Sequence, residues 1–142
     1  MKEMPTAEEI KITENFLKSY KLNQRLLRLD KYEREFFGER YLERETEGFT
    51  EARLARPRMF DVRHFIMSLP NSDEKLLLYC HYVRGQSIEA CAELLGISRS
   101  SAFRKKKAAL RLATEKYISE RGAQSNFTFN TQNVNKFGSA VV

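Results

Sequence analysis

Tryptophan is absent from this sequence, and only six glycines and three prolines occur in its 142 residues. A loop-rich all-β fold needs many turn residues, so this composition argues against one. The longest run of apolar side chains, Leu76–Cys80, is far too short to span a bilayer. The segment Met1–Pro5 carries an acidic residue and no apolar stretch, so we expect no secretory signal. The abundance of Leu, Lys, Glu, Arg and Ala instead predicts an all-α protein that is cytoplasmic and has no contact with membranes.

The residues that usually carry catalysis or bind metals are also scarce. The sequence has two histidines and two cysteines, and their spacing does not match a zinc site. No glycine-rich phosphate loop and no Ser-His-Asp arrangement can be recognised. Two cysteines in a chain without a leader favour buried free thiols in a reducing compartment. We therefore expect no enzymatic activity, no bound metal and no cofactor.

The net charge of +6 is concentrated at one end of the chain. Residues 101–142 contain eight basic and two acidic side chains, whereas the first hundred residues are close to neutral. Five of these basic residues lie between positions 104 and 111, and no acidic residue occurs between Arg99 and Glu115. A localised basic block is typical of a surface that binds a polyanion, most often nucleic acid. A solvated helix face that contacts nothing is the alternative that charge alone leaves open.

The first third of the chain predicts a long helix followed by a charged connection. Thr6 and Glu9 have the spacing of a capping box, and Gly38 is a suitable helix end. Apolar residues recur between them at mixed spacings of three, four and seven, which indicates one helix over residues 6–37. The following stretch is almost entirely charged and fits either a short surface helix or a linker. We expect residues 1–56 to form a helical region that oligomerises or contacts a partner.

Four further helices are predicted after residue 57. The expected limits are Asp61–Leu69, Asn71 or Ser72 to Gly85, residues 88–95 between Ser87 and Gly96, and Ser98 to about Ser119. Together, residues 57–119 form the predicted DNA-binding domain. From Gly122 onwards Asn, Gln, Ser and Thr dominate, and we expect residues 120–142 to form a flexible polar tail.

The last two predicted helices have the pattern of a helix-turn-helix. Gly96 can leave the first helix with a positive φ, Ile97 can fill the core inside the turn, and Ser98 can cap the second helix. Ala92 is small where the two helices would cross. In such a unit the second helix enters the major groove of double-stranded DNA with its N-terminus first.

A helical projection divides this second helix into an apolar and a polar side. The inward side holds Ala102, Phe103, Ala109, Leu110, Ala113 and Tyr117, with Lys106 among them. Small hydroxyls on the outward side let the helix approach base edges, and arginine can fork onto guanine or hold phosphates. The candidate DNA-binding residues are Ser87, Arg99, Ser100, Ser101, Arg104, Lys105, Lys107 and Arg111.

The stretch from Phe65 to Leu112 resembles region 4 of the sigma-70 family of RNA polymerase sigma factors. The residues that carry the resemblance are Leu69-Pro70, the Glu74–Tyr79 segment, Gly85-Gln86-Ser87, Ala92, Leu95-Gly96-Ile97-Ser98 and Ala109-Leu110. The sequence departs from the family pattern in two places. Ala90-Cys91 stands where the family commonly has Glu-Ile, and Lys105 stands where an aliphatic residue is frequent.

No aromatic-rich segment suited to promoter melting precedes residue 57, so the architecture is more similar to small phage and prophage regulators of the ArpU and RinA kind. The resemblance implies a sequence-specific transcription regulator of a phage or prophage that activates genes together with RNA polymerase. Two alternatives stay open, a small terminase-like DNA-packaging protein and a module that only docks on RNA polymerase. The length of the first helix also predicts a homodimer, because a small domain cannot cover both of its ends.

Overall fold

The computed structural model of the chain describes residues 4–38 and 50–128. These residues form five α-helices and no strand, which confirms the predicted all-α class. The helices are α1, Ala7–Phe37; α2, Thr50–Met67; α3, Asp73–Leu78; α4, Ile88–Leu95; and α5, Arg99–Thr128. A π-helical turn over Tyr79–Val83 extends α3. Within the described ranges, no helix combines the length and apolar character that crossing a membrane requires.

Helix α1 begins and ends at the predicted signals. The Glu9 amide donates to the Thr6 hydroxyl at 3.1 Å, and the Thr6 amide donates to the Glu9 carboxylate at 2.9 Å. At the other end, the Gly38 amide donates to the Arg34 carbonyl at 3.0 Å. Gly38 has a φ of +89°, so the chain leaves the helix through a conformation that glycine tolerates best. The capping box and the C-terminal glycine therefore fix the length of α1.

The predicted start of the next helix at Asp61 is wrong. Helix α2 begins at Thr50 and contains Pro57 in its interior. Proline has no amide hydrogen and removes one helical hydrogen bond, which usually ends or kinks a helix. Here Ala55 and Val62, on either side of the proline, are fully buried, and this packing favours continuing the helix through it. The boundary predicted between residues 56 and 57 therefore lies inside a helix.

One apolar core joins α1 to the predicted DNA-binding domain. Its buried members are Leu17, Tyr20, Val62, Phe65, Ile66, Leu69, Leu78, Tyr82, Val83, Ala109, Leu110 and Ala113. Leu17 of α1, Val62 of α2 and Ala109 of α5 are completely shielded from solvent. One side of the N-terminal half of α1 is thus built into the same core as the helices that follow it.

Helix α5 is longer than the sequence predicts. It runs to Thr128, so residues 120–128, which the sequence assigns to the tail, are helical, and residues 129–142 lie outside the described part of the chain. Arg121 explains why the helix does not end near Ser119. Its guanidinium lies 2.9 Å from the Asp61 carboxylate and 4.5 Å from the centre of the Phe16 ring. These contacts attach the late part of α5 to both α2 and α1.

Candidate nucleic-acid interface

The turn between α4 and α5 is set by three residues that the sequence analysis singled out. The Ser87 hydroxyl accepts a hydrogen bond from the Ala90 amide at 3.1 Å and begins α4. Gly96 ends α4 in the left-handed conformation, with φ +70° and ψ +36°. The Ser98 hydroxyl then accepts from the Ser101 amide at 3.1 Å and begins α5. The predicted limits of α4 and the predicted start of α5 are both confirmed.

Two small apolar clusters pack α4 against its neighbours, one against α5 and the other against α3 and the π-helical turn. Ile88, Ala92 and Ala102 form one, with Ile97 of the turn packed against it. Leu77, Cys80 and Cys91 form the other, with Leu95 at its edge. In the first cluster, Ala92 belongs to α4 and Ala102 belongs to α5. Because both side chains are small, the two helices can approach closely. The start of α5 therefore packs directly against α4.

The two cysteines lie inside this support and not at its surface. Cys80 and Cys91 are buried and form no disulfide. Burial, with a smaller effect from the neighbouring Cys80, raises the pKa of the Cys91 thiol, so it stays protonated and is a poor metal ligand. Among the described residues, no three His, Cys, Asp or Glu side chains are placed to hold a metal ion together.

The outward face of α5 is polar and basic, as the projection predicts. Ser100, Arg104, Lys107 and Arg111 follow one another at intervals of four, three and four residues, and all are exposed. This spacing places them along one side of the helix. Within the described part of the chain, no ion pair involves Lys107 or Arg111. Their charges are available to an anionic partner.

Two other predicted contact residues are paired with acidic residues of the same unit. The Arg99 guanidinium lies 2.9 Å from the Glu89 carboxylate, and both side chains are more than half exposed. The Lys105 ammonium lies 3.9 Å from the Asp73 carboxylate of α3. Exposed pairs of this kind contribute about 0–1 kcal/mol, so a phosphate can replace the carboxylate at little cost. Sequence analysis missed both partners.

Ser101 has a different position from the one that its assignment as a DNA contact implies. It is half-buried, and its hydroxyl accepts hydrogen bonds from the Ser98 hydroxyl at 3.0 Å and the Arg104 guanidinium at 3.2 Å. The first bond lies in the N-terminal turn of α5, and the second directs the Arg104 guanidinium back towards that turn. Ser101 therefore orients Arg104, whereas Ser100 next to it is the exposed hydroxyl of the first turn.

The projection places both Lys106 and Phe103 on the inward side of α5, and the structure agrees for Lys106 alone. The Lys106 ammonium lies 3.6 Å from the Glu14 carboxylate of α1, which explains how a lysine is accommodated on the inward side. Phe103, predicted to be inward, is 43% exposed and has the Arg99 guanidinium 5.7 Å from its ring centre. Ala102 takes the contact with α4 that an inward Phe103 would have made. The prediction for Phe103 is therefore wrong, and the side chain belongs to the exposed surface.

Comparison with known proteins gives no match, because no protein-family model, curated protein or solved structure is similar enough to indicate a relationship. The resemblance to sigma-70 region 4 therefore rests on the sequence motifs quoted above.

Proposed function

We propose that this protein is a sequence-specific DNA-binding regulator of transcription that inserts the N-terminal turns of α5 into the major groove. The observation that carries the proposal is the outward face of α5. The left-handed turn at Gly96 leads into α5, whose first turn packs against α4. One exposed side of α5 carries Ser100, Arg104, Lys107 and Arg111. Helices presented in this way are the elements that read base edges in helix-turn-helix proteins.

The residues of this face divide into readout and anchoring groups. Ser100 is short enough to let the first turn approach the bases, and Arg104 can place two hydrogen bonds on guanine. The exposed ring of Phe103 can pack on a thymine methyl group. Lys107 and Arg111 lie farther from the helix start and are suited to phosphates, which fix the orientation of the protein without reading sequence.

The phosphate contacts give the proposal its quantitative test. A duplex is first selected from a random pool, and its affinity is then measured over a series of salt concentrations. If about five basic groups meet phosphates, log K falls with log[salt] at a slope of about −4 to −5. We expect the selected duplex to bind at least about 10³-fold more tightly than random DNA. A slope near zero, or no binding at low salt, contradicts DNA binding.

We further propose, from the resemblance alone, that the protein is encoded by a phage or prophage and activates transcription with RNA polymerase. Transcription from a template carrying the selected duplex, with purified polymerase, tests this step. Stimulation that depends on the duplex supports it. A ring-shaped oligomer that binds DNA without affecting transcription indicates a packaging protein. Binding to polymerase without binding to DNA indicates a docking module.

A further inference from the structure

We propose that α1 carries a second DNA-contacting surface, which holds the phosphate backbone beside the site read by α5. This inference rests on the function proposed above. The surface consists of Lys18, Lys21, Arg25 and Arg28, and we call it the basic ridge. Its members follow at intervals of three, four and three residues, which places them on one face of a helix.

The basic ridge is a positive surface, and Glu14, one turn before Lys18 on α1, is an acidic neighbour whose charge interacts with it. No acidic residue occurs between Glu14 and Asp30 in the sequence. Lys18, Arg25 and Arg28 are exposed, and the half-buried Lys21 has a side-chain oxygen of Gln24 at 3.4 Å as its hydrogen-bond partner. In the ranges that the structure describes, no ion pair involves any of the four basic residues. A ridge of this kind is complementary to a row of phosphates.

The basic ridge borders the helix-turn-helix unit directly. Gly85 has a φ of +74°, and a Cβ placed there would collide with the side chain of Lys21. Gly85 lies two residues before Ser87, the cap of α4. One turn before Lys18 on the same face of α1, Glu14 contacts Lys106 of α5 at 3.6 Å. The ridge therefore starts against the unit that we propose to bind DNA.

The basic ridge continues along α1 beyond the position where Lys21 meets Gly85. At about 1.5 Å per residue, Arg28 lies roughly 10 Å beyond Lys21 along the helix axis. The whole ridge is about 15 Å long, which equals the axial rise of roughly four base pairs at about 3.4 Å each. In helix-turn-helix complexes the first helix of the unit lies across the backbone, so the segment before α4 faces phosphates. The ridge extends that surface over the flanking duplex.

A variant that lacks the exposed charges of the basic ridge tests the contact with phosphates. In Lys18→Gln/Arg25→Gln/Arg28→Gln the exposed ridge charges are removed, and Lys21 is kept because it packs at Gly85. We expect the salt slope to become shallower by about two to three units, since each phosphate contact contributes about 0.9. The loss of affinity should be equal for selected and random duplexes, because the ridge contacts no bases. Thermal unfolding followed by circular dichroism verifies that the variant folds.

The matched control removes three exposed arginines from α2, in Arg53→Gln/Arg56→Gln/Arg63→Gln. Helix α2 packs on another side of α1, through the edge-to-face contact of Phe16 and Phe65. The control has the same net charge as the ridge variant, and we expect its salt slope to equal that of the wild type. Equal changes in both variants would mean that net charge alone matters and would overturn the proposal.

Duplex length gives a second readout that needs no variant. Trimming the flanks of the selected duplex from about 30 to about 15 base pairs should weaken wild-type binding and make its salt slope shallower. The ridge variant should be insensitive to trimming. If the wild type binds the selected duplex but neither trimming nor the ridge substitutions change its slope, the ridge proposal is overturned while DNA reading by α5 stands. If the wild type binds no DNA, both are overturned.

Discussion

At the residue scale, Glu14 connects α1 to the π-helical turn and to α5. Its carboxylate accepts a hydrogen bond from the Tyr82 hydroxyl at 2.6 Å and lies 3.6 Å from the Lys106 ammonium. Burial by itself raises the pKa of Glu14, but the bond from Tyr82 and the charges of Lys18 and Lys106 outweigh it, so the pKa lies below its usual value. Burial, and then the bond to Glu14, raise the pKa of Tyr82 well above its usual value.

These shifts predict losses of stability at both extremes of pH. A lowered carboxyl pKa stabilises the fold above the usual value of 4.5, and this stabilisation is lost as pH falls below it. A raised phenol pKa stabilises the fold below the usual value of 10.0, and this is lost as pH rises above it. Urea unfolding at a series of pH values measures both limbs.

The Tyr82→Phe variant distinguishes the contribution of the Tyr82–Glu14 pair to stability from the contributions of the other titrating groups. We expect the variant to lose about 1–3 kcal/mol at neutral pH, because it removes a hydrogen bond to a charged acceptor. Its alkaline limb should also be flatter than that of the wild type. Tyr79→Phe is the control, since Tyr79 packs against the same core and, in the described part of the chain, its hydroxyl makes no hydrogen bond. An equal loss in the two variants would contradict the assigned role of Glu14.

On the proposed function, Arg104 is the residue on which sequence readout would depend most directly. Arg104→Ala should cost about 1–3 kcal/mol of binding and relax the preference at one base pair, if the guanidinium reads guanine. Ser101→Ala, which frees Arg104 from its hydrogen bond, should show a smaller effect at the same base pair. Binding to selected and variant duplexes measures both. A uniform loss over all sequences would assign Arg104 to phosphate, and unchanged affinity would mean that α5 faces elsewhere.

At the scale of elements, the turn between α4 and α5 sets the orientation of α5 relative to α4. Gly96 is left-handed, and no atom lies within 4 Å of the position of an added Cβ. A substitution there therefore meets no steric clash with its surroundings, and its cost reflects the backbone conformation alone. The turn is a local structure, formed by Gly96 with the caps and apolar residues within a few positions of it.

Gly96→Val should lower the free energy of unfolding by about 1–2 kcal/mol, because a β-branched residue is strained at positive φ. Gly96→Asn should cost less, since asparagine tolerates the left-handed region. Chemical denaturation of the three proteins measures the difference. Equal stability of the valine and glycine proteins would show that the turn takes another conformation in solution.

At the scale of the whole molecule, α1 belongs to the common core and also projects from it. Leu17 and Tyr20 are buried with residues of α2 and α5, whereas Leu22, Leu29 and Phe36 are 52%, 60% and 67% exposed. The two halves of the helix therefore have different environments. The first half stabilises the chain to which it belongs, and the second half presents apolar side chains at seven-residue intervals.

Deleting residues 1–37 should unfold the rest of the chain. The deletion uncovers Val62 and Phe65, which pack against α1, and a single Leu17→Ala substitution should already cost about 2–5 kcal/mol. Circular dichroism and chemical denaturation measure both. A cooperative unfolding transition in the deleted protein would show that residues 57–119 fold independently, as the sequence analysis supposed.

The end of α1 beyond the basic ridge leads us to expect a homodimer, because exposed Leu29 and Phe36 lie at a seven-residue interval that suits a helix-to-helix contact. Sedimentation at micromolar concentration should give a dimer for the wild type and a monomer for Leu29→Gln/Phe36→Gln. Ile12→Gln/Met67→Gln, which replaces two exposed apolar residues elsewhere, should stay dimeric. A monomeric wild type at these concentrations contradicts the expectation. In a dimer, two copies of α5 could occupy half-sites about 34 Å apart.

The sequence alone determined the features that depend on interactions over a few residues. The capping box of Thr6 and Glu9, the caps at Ser87 and Ser98, and the left-handed glycine at position 96 all lie where local pattern places them. Each of these hydrogen bonds joins residues within about four positions, so its partners are visible in the sequence itself. The outward basic side of α5 follows from helical periodicity in the same way.

The tertiary structure decided the features whose partners are distant in the chain. Pro57 stays inside α2 because Ala55 and Val62 on either side of it are buried. Helix α5 continues past residue 119, where Arg121 contacts Asp61 and Phe16. Lys106 finds Glu14 more than ninety residues away. From local propensity alone, a helix break is expected at Pro57 and near residue 119, and a lysine is not expected on the inward side of α5 at position 106. Packing and pairing across helices override local propensity, and which helices become neighbours is a property of the whole fold.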